Sequence, residues 1–367
     1  MAMLRRLAGA TCHPTRSGSR FAATGPSLHL GTMTFAWGQA SSPVGDSQAA
    51  GMLQSFLESG GLELDTARIY SGGDSELMLG RLLREEPGLK GRVRRINTKV
   101  HPAEPGGLSA DGIRRQLDAS LKALQVDKVD VLYLHQPDPE NDLSESLRCV
   151  HELIAEGTVT GLALSNYSAV EVDRCALLCA EKGWTAPSFC QGLYNPLNRL
   201  VEDELLPVLR RHGIGFIAFN PLAAGLLSGK HRAGGEVLPG RFKDNQNYLP
   251  RFYTDENFAA MEVIREACQQ HDVGMVSATY AWLLRHSQLG TSGAADGLLL
   301  GASSPGQLEE NLAACLSAQD LPGPVVAAFD AAWEPCKPGA FPYWRSYSKD
   351  YPGRETLPPG ASYQVKK

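Results

Sequence analysis

From Ser27 onward, short runs rich in apolar and β-branched residues alternate with longer stretches whose apolar positions recur every three or four residues. The short runs predict strands: LHLGTMTF (28–35), LELDT (62–66), RRINTKV (94–100), VDVLYLH (129–135), VTGLALS (159–165), PSFCQG (187–192), GIGFIAF (213–219) and GLLLGA (297–302). The longer stretches predict helices near 46–59, 74–85, 109–124, 143–156, 168–182, 201–211, 255–270, 276–286 and 306–316. In ADGIRRQLDASLKAL, Ile113, Leu117, Leu121 and Leu124 repeat at helical spacing, and Ser109 precedes them as an N-cap. Eight strands alternating with helices over about 290 residues fit an α/β fold of the (β/α)8 TIM-barrel type better than two doubly wound halves.

Phosphate-binding fingerprints do not change that reading. No strand runs into a GxGxxG turn and then a helix; Gly213-Ile-Gly215 leads into a strand rather than following one. Gly225-Leu-Leu-Ser-Gly229-Lys230 has one spacer too few for a P-loop, and His231 stands where Ser or Thr is required.

Composition narrows the class. The chain of 367 residues is 43% hydrophobic and 20% charged, and no apolar run approaches the length of a membrane span. The net charge of −5 is unevenly spread: residues 1–45 hold Arg5, Arg6, Arg16 and Arg20 and no acid, so the remainder carries −9. A body that acidic, without a basic aromatic patch, is a poor partner for nucleic acid or a membrane. The eight cysteines show neither CxxC nor zinc-type Cys/His spacing, so reduced thiols and no metal are expected; Cys175 and Cys179 fall on one helix face. The acid-free, Arg- and Ser-rich start, 1–25, reads as a transit peptide, mitochondrial first and plastid second, with a disordered cytoplasmic tail as the alternative. The barrel domain is then 26–345. Residues 346–367, rich in Pro, Gly and Lys, are expected to be a disordered extension.

The candidate chemistry sits at strand ends. Three successive predicted strands finish near Asp65, Lys99 and His135, and active sites of parallel barrels lie at the carboxyl ends of their strands. An ionisable residue there follows apolar neighbours and needs a partner. ELDTARIYSGGDSE (63–76) adds Tyr70 on a Gly-rich loop. Lys99, held by Asp65, would stabilise the tyrosinate of Tyr70, which could then donate a proton to a carbonyl oxygen while a hydride reaches its carbon. His135 would orient that carbonyl. Each residue alone has a structural explanation; the four together point to a reductase.

The ordered segments LGTMTF, ELDTARIYSGGDSE, NTKV, YLHQPDP, GLALSNYSAVEV, CQGLYNP, FNPLAAGLLSGK and LLLGASSPGQLEENLAA resemble the aldo-keto reductases, and within them the aflatoxin-aldehyde/succinic-semialdehyde reductase subfamily. The likeness runs from about Leu30 to Arg345. It implies the tetrad Asp65, Tyr70, Lys99 and His135, an NADPH cofactor, a small aldehyde substrate and a homodimer. It also implies that Ser165, Asn166 and Gln191 hydrogen-bond the nicotinamide carboxamide and that Phe219 stacks on its ring. Asn220, Pro221, Leu222, Ala223, Gly225 and Lys230 would then wrap the pyrophosphate, with Arg241 on a phosphate. After Ala302, Ser303 and Ser304 stand at a helix N-terminus suited to the 2′-phosphate, and Gln307, Glu310 and Asn311 follow towards the adenine. His135, Tyr248, Arg251 and Arg345 would face the substrate, the two arginines gripping a carboxylate.

Three departures from the family pattern carry expectations of their own. VRRINTKV is one residue longer than usual before its lysine, which predicts a bulge in the third strand; 231–252 is short; and the chain continues past Arg345. A different class of function remains open, that of the potassium-channel β subunits, which share the barrel and much of the tetrad but act chiefly as NADPH-carrying binding partners.

Overall fold

The computed structural model describes residues 25–37, 44–238, 240–243, 248–291 and 295–345. The basic start (1–24) and the tail (346–367) lie outside the described residues, and so do the expectations placed on them. Eight parallel strands close into a barrel in chain order: β1 (Ser27–Gly31), β2 (Glu63–Asp65), β3 (Arg95–Val100), β4 (Val129–Leu134), β5 (Val159–Ser165), β6 (Phe189–Leu193), β7 (Gly215–Phe219) and β8 (Gly297–Leu300). The predicted TIM barrel is the fold.

Helices cover the strands: α1 (Asp46–Glu58), α2 (Asp74–Glu85), α3 (Pro87–Lys90), α4 (Ala110–Leu124), α5 (Leu143–Glu156), α6 (Ala169–Lys182), α7 (Leu205–His212), α8 (Leu249–Phe252), α9 (Asp255–Gln270), α10 (Met275–Ala281), α11 (Pro305–Leu316) and α12 (Gly323–Cys336). Their ends obey local chemistry. Ser109 Oγ caps α4 by accepting the Gly112 N–H at 3.1 Å, and Ser168 with Glu171 forms a capping box on α6. Gly157, Gly183 and Gly213 end α5, α6 and α7 in the left-handed region. Where α2 crosses α4 the backbones nearly touch, and a Cβ on Gly80 would lie 2.1 Å from the Ala123 carbonyl oxygen. No other residue fits there.

Most of the apolar surface is buried between the strands and their covering helices. A smaller cluster, Val131, Tyr133 and Ala163 with Phe189 beside them, groups residues of β4, β5 and β6. The described cysteines are free and buried, Cys175 and Cys179 fully so on α6.

The structure revises several boundaries. β1 stops at Gly31, and 32–35 turns across the barrel mouth. The helix expected over 201–211 begins only at Leu205, after a short 3-10 turn. The one expected over 276–286 ends at Ala281 and widens into a π turn, Trp282–His286, in which Ser287 N–H reaches the Trp282 carbonyl. β3 carries no internal bulge, for its register to β4 is unbroken from Asn97 to Val100. Two successive residues face one partner only at the strand's entry, where the N–H groups of Arg94 and Arg95 both bond the Leu62 carbonyl, at 3.0 and 3.2 Å. Helix α12 was not expected. Its Gly-Pro opening reads as a turn, yet Pro is well suited to the first helical turn, and α12 buries Phe329 and Trp333 while packing along α9.

Candidate active site

The carboxyl ends of the strands open on a cavity of about 440 Å³. Asp65 is the last residue of β2, Lys99 the last but one of β3, and His135 follows β4 directly. Lys99 is fully buried, and its Nζ donates to Asp65 Oδ1 at 2.5 Å and to the Thr66 carbonyl at 2.8 Å. The same ammonium lies 5.2 Å from the centre of the Tyr70 ring, which stands edge-on to the His135 ring at 5.6 Å. The four residues expected to act together do meet. Asp65, Tyr70 and His135 line the cavity, with Lys99 just behind them.

The Gly-rich loop explains how Tyr70 is aimed. It begins a 3-10 turn in which Ser71, Gly72 and Gly73 all have positive φ. At Gly73 a Cβ would collide with the Arg68 guanidinium, which packs across the turn and donates to the Gly72 carbonyl at 3.3 Å. Arg68 also donates to Glu76 Oε2 at 2.6 Å, and the buried Glu76 accepts from Thr98 Oγ1 and Ser120 Oγ at 2.6 and 3.1 Å. The loop is thereby tied to α2, β3 and α4.

Burial sets the charge states. Desolvation pushes the Lys99 ammonium below the usual lysine range, opposed first by the Asp65 charge. His135 is held well below its ordinary value by burial, then by its neighbours His101, Lys99 and Arg345. Its Nδ1 has no hydrogen-bond partner. An unmade N–H is the costlier defect, so the proton of the neutral ring belongs on Nε2.

Of the residues expected to hold a cofactor, all but one line the cavity. Ser165 ends β5, and Asn166 follows in the left-handed region at φ 61°, donating to the His135 carbonyl at 2.8 Å and to Ser165 Oγ at 3.0 Å. Gln191 sits within β6 rather than at its end, and its Nε2 donates to Asp65 Oδ2 at 2.9 Å. Phe219, Asn220, Pro221, Leu222, Gly225 and Lys230 line the cavity, and so do Arg241, Ala302, Ser303, Ser304, Gln307, Glu310 and Asn311. Ala223 does not. It is fully buried at φ 48°, and the next residue of the tight turn, Ala224, faces the cavity instead. The Arg241 guanidinium lies between the rings of Trp37 and Tyr248, at 5.5 and 5.3 Å. At the far end Ser304 caps α11, while the Ser303 N–H and hydroxyl both donate to Gln307 Oε1.

The arginines part company. Arg345 and Tyr248 are at the cavity, but Arg251 is not. Arg251 is 93% buried in a separate small cavity, stacked 4.3 Å over the Phe341 ring. The four-residue helix α8 turns it under the C-terminal segment, where an aromatic face offsets part of its desolvation. The expected carboxylate grip thus reduces to Arg345. That segment is fastened by Asn198 Nδ2 to the Phe341 carbonyl at 2.7 Å, Tyr343 Oη to Glu204 at 3.0 Å, and Arg345 N–H to the Asn166 carbonyl at 2.8 Å.

Sequence reasoning missed His101, Gln136 and Trp37, which also line the cavity. His101 was discoverable: it lies two residues after Lys99, and alternation along an extended chain returns it to the same face. Its Nδ1 accepts the Ala103 N–H at 3.0 Å, and its ring stands edge-on to His135 at 5.1 Å. Burial, then the Arg345 charge, pushes His101 down to about 3.

Two imidazoles held neutral make stability depend on acid. An unfolded histidine titrates near 6.5, so below that pH the unfolded chain binds protons that the fold refuses. Stability is therefore full above about pH 6.5 and is lost as pH falls towards 3, by about 1.4 kcal/mol per unit for each histidine. Urea unfolding between about pH 6.5 and 5 should show this slope, and His101→Asn should lower it by about one proton's worth. An unchanged slope contradicts the assignment.

Comparison with known proteins identifies the family. The sequence profile of the aldo/keto reductase family matches residues 27–334. Aldo-keto reductase family 7 member A3 of Homo sapiens is 43% identical over 296 residues, covering 78% of this chain and 88% of that protein. Aflatoxin B1 aldehyde reductase member 2 of Mus musculus is 43% identical over 298 residues, covering 78% and 80% respectively. An aldo-keto reductase of Pseudocercospora fijiensis is 36% identical over 299 residues, 80% of this chain and its own full length. With an eight-stranded barrel, an Asp–Lys–Tyr–His cluster at its mouth and a match over most of its length, the chain belongs to the aldo/keto reductase family.

Proposed function

We propose that the protein reduces aldehydes to alcohols with NADPH, using Tyr70 as the proton donor, and that it favours substrates bearing a carboxylate. The observation that carries this reading is the buried Lys99 ammonium, paired with Asp65 and lying 5.2 Å from the Tyr70 ring at the cavity wall.

The residues present fit a nicotinamide dinucleotide. The buried Oδ1 of Asn166 has no partner in the protein, Lys230 and Arg241 supply cations midway along the cavity, and α11 turns its N-terminus to the far end. When bound, the dinucleotide supplies the hydride. Ser165, Asn166 and Phe219 would hold its nicotinamide end, Lys230 and Arg241 its phosphates, and Ser303 and Ser304 its 2′-phosphate.

The chain's own groups manage the proton. As a carbonyl oxygen gains charge, Tyr70 hands it the phenolic proton, and the Lys99 charge stabilises the phenolate left behind. Neutral His135 donates from Nε2 to the same oxygen and fixes its direction. Asp65 keeps the ammonium in place, so the site's charge is set before substrate arrives. At the outer rim Arg345 offers a guanidinium to a carboxylate, as in succinic semialdehyde or 2-carboxybenzaldehyde. That two of the relatives are aldehyde reductases or aldo-keto reductases by name supports an aldehyde as substrate.

Three measurements test the reading. Tyr70→Phe should lower kcat by about 10²- to 10⁴-fold while leaving the NADPH dissociation constant, read by fluorescence quenching, unchanged. Wild-type kcat in that variant ends the mechanism; a wild type that binds NADPH without steady turnover favours the binding-partner class instead. NADPH should have a KM at least roughly tenfold below that of NADH, since one charge-assisted hydrogen bond contributes about 1.5–3 kcal/mol. Arg345→Met should raise KM for 2-carboxybenzaldehyde by about tenfold or more and leave benzaldehyde unaffected; equal changes for both would remove the carboxylate assignment.

A further inference from the structure

The Lys99 ammonium has two hydrogen bonds, to Asp65 and to the Thr66 carbonyl, and no contact with solvent. Its surroundings contain a second aromatic face besides Tyr70. Tyr133 is the residue of β4 that pairs in register with Lys99 of β3, and its ring centre lies 5.3 Å from Nζ. The Tyr133 side chain is 1% exposed and packs in the barrel interior with Val131 and Ala163. The ammonium thus stands 5.2 Å from one tyrosine ring and 5.3 Å from another. Only one of the two, Tyr70, opens on the cavity.

We propose that Tyr133 is a positioning residue for the reduction: its ring face holds the Lys99 ammonium in its charged form beneath Tyr70. An aromatic face attracts a cation through its quadrupole, and the attraction is strongest where water is excluded. The phenol itself stays neutral, because burial and then the Asp65 charge hold its proton well above the usual range. The other charged or titratable groups acting on Lys99 are Asp65 from β2, Glu76 from α2, Tyr70 from its loop and His135 after β4. Asp65 and Glu76 favour the charged lysine, His135 is neutral, and desolvation opposes the charge. Tyr133 adds to the favourable side without adding a further anion to Asp65 and Glu76, which would compete with the phenolate forming on Tyr70. This role rests on the reading of Lys99 as the group that supports Tyr70.

The test replaces residue 133 by phenylalanine and then by its 4-fluoro, 3,5-difluoro and 3,4,5-trifluoro analogues, which weaken the ring face stepwise at nearly constant size. The readout is the titration of the Lys99 side chain followed by NMR of ¹³C-labelled lysine in the cofactor-free enzyme, with the alkaline limb of the kcat–pH profile measured in parallel. Tyr133→Phe should leave the Lys99 midpoint in place, and the fluorinated series should lower it progressively, by about one pH unit in total. The alkaline limb, which belongs to the Tyr70–Lys99 pair, should move the same way. A midpoint that is flat across the series overturns the proposal. So does a drop in Tyr133→Phe as large as that of the trifluoro analogue, which would assign the effect to the hydroxyl. Because the NMR titration does not depend on turnover, it separates failure of this proposal from failure of the Tyr70 mechanism.

Discussion

One buried charge organises the centre of this barrel. The Lys99 ammonium has been removed from water altogether, a cost of several kcal/mol unless it is met by well-placed partners. Asp65 meets it with one oxygen and uses the other to accept from Gln191, a residue of β6 on the far side of the barrel. The pair therefore links opposite walls through the interior. It also requires β2, β3 and β4 to end in the register they have, because the Thr66 carbonyl and the two tyrosine faces must arrive together. Removing either partner would strand the other charge, which typically costs about 3–5 kcal/mol. A residue placed only for stability would not be built this way, since an apolar pair of similar volume is often neutral or better. A charge maintained at that expense beside a cavity is the physical ground for the role proposed for Lys99.

A second buried charge serves the first. Glu76 is fully enclosed, and burial raises its carboxyl above the ordinary range while Thr98, Arg68 and Ser120 pull the other way. Its three partners come from β3, the Tyr70 loop and α4. Thr98 precedes Lys99, and Arg68 spans the turn that carries Tyr70, so the same carboxylate holds both the strand that bears the lysine and the loop that bears the tyrosine. The glycines of that loop serve its left-handed backbone, and Gly73 in addition leaves room for the Arg68 guanidinium.

The barrel was legible because its signal is periodic: every strand found in the structure overlaps an apolar run that alternation with helices already predicted. Strand ends were legible for the same reason, and they located Asp65, Lys99 and His135. What could not be read depends on packing across long sequence separations. Arg251 looks like a cavity residue in the chain, yet whether α8 turns it outward or under Phe341 is decided by a segment about 90 residues away. Ala223 and Ala224 are chemically identical neighbours, and only the left-handed turn they share decides which of them faces the cavity. Helix α12 was hidden by its prolines, and its burial against α9 outweighs them. His101 was passed over, although it shares the alternation that exposed Lys99.

The residues proposed for the substrate and those proposed for the cofactor meet at Asn166. Its left-handed backbone turns the chain sharply after β5, so that its side-chain amide reaches back to the His135 carbonyl while its own carbonyl accepts the Arg345 N–H. The residue that resemblance assigns to the nicotinamide therefore also holds the backbones of His135, proposed to aim the substrate carbonyl, and of Arg345, proposed to meet a carboxylate. A left-handed conformation costs about 1 kcal/mol or more for a residue with a side chain, though least for asparagine, and it persists where the surroundings over-determine it. Here four hydrogen bonds do so: the amide side chain donates to the His135 carbonyl and to Ser165 Oγ, the backbone N–H donates to the Gln191 carbonyl, and the backbone carbonyl accepts from Arg345. One turn after β5 thus ties together the backbones of two residues that are 31 positions before it and 179 after it, which no local pattern in the chain could announce.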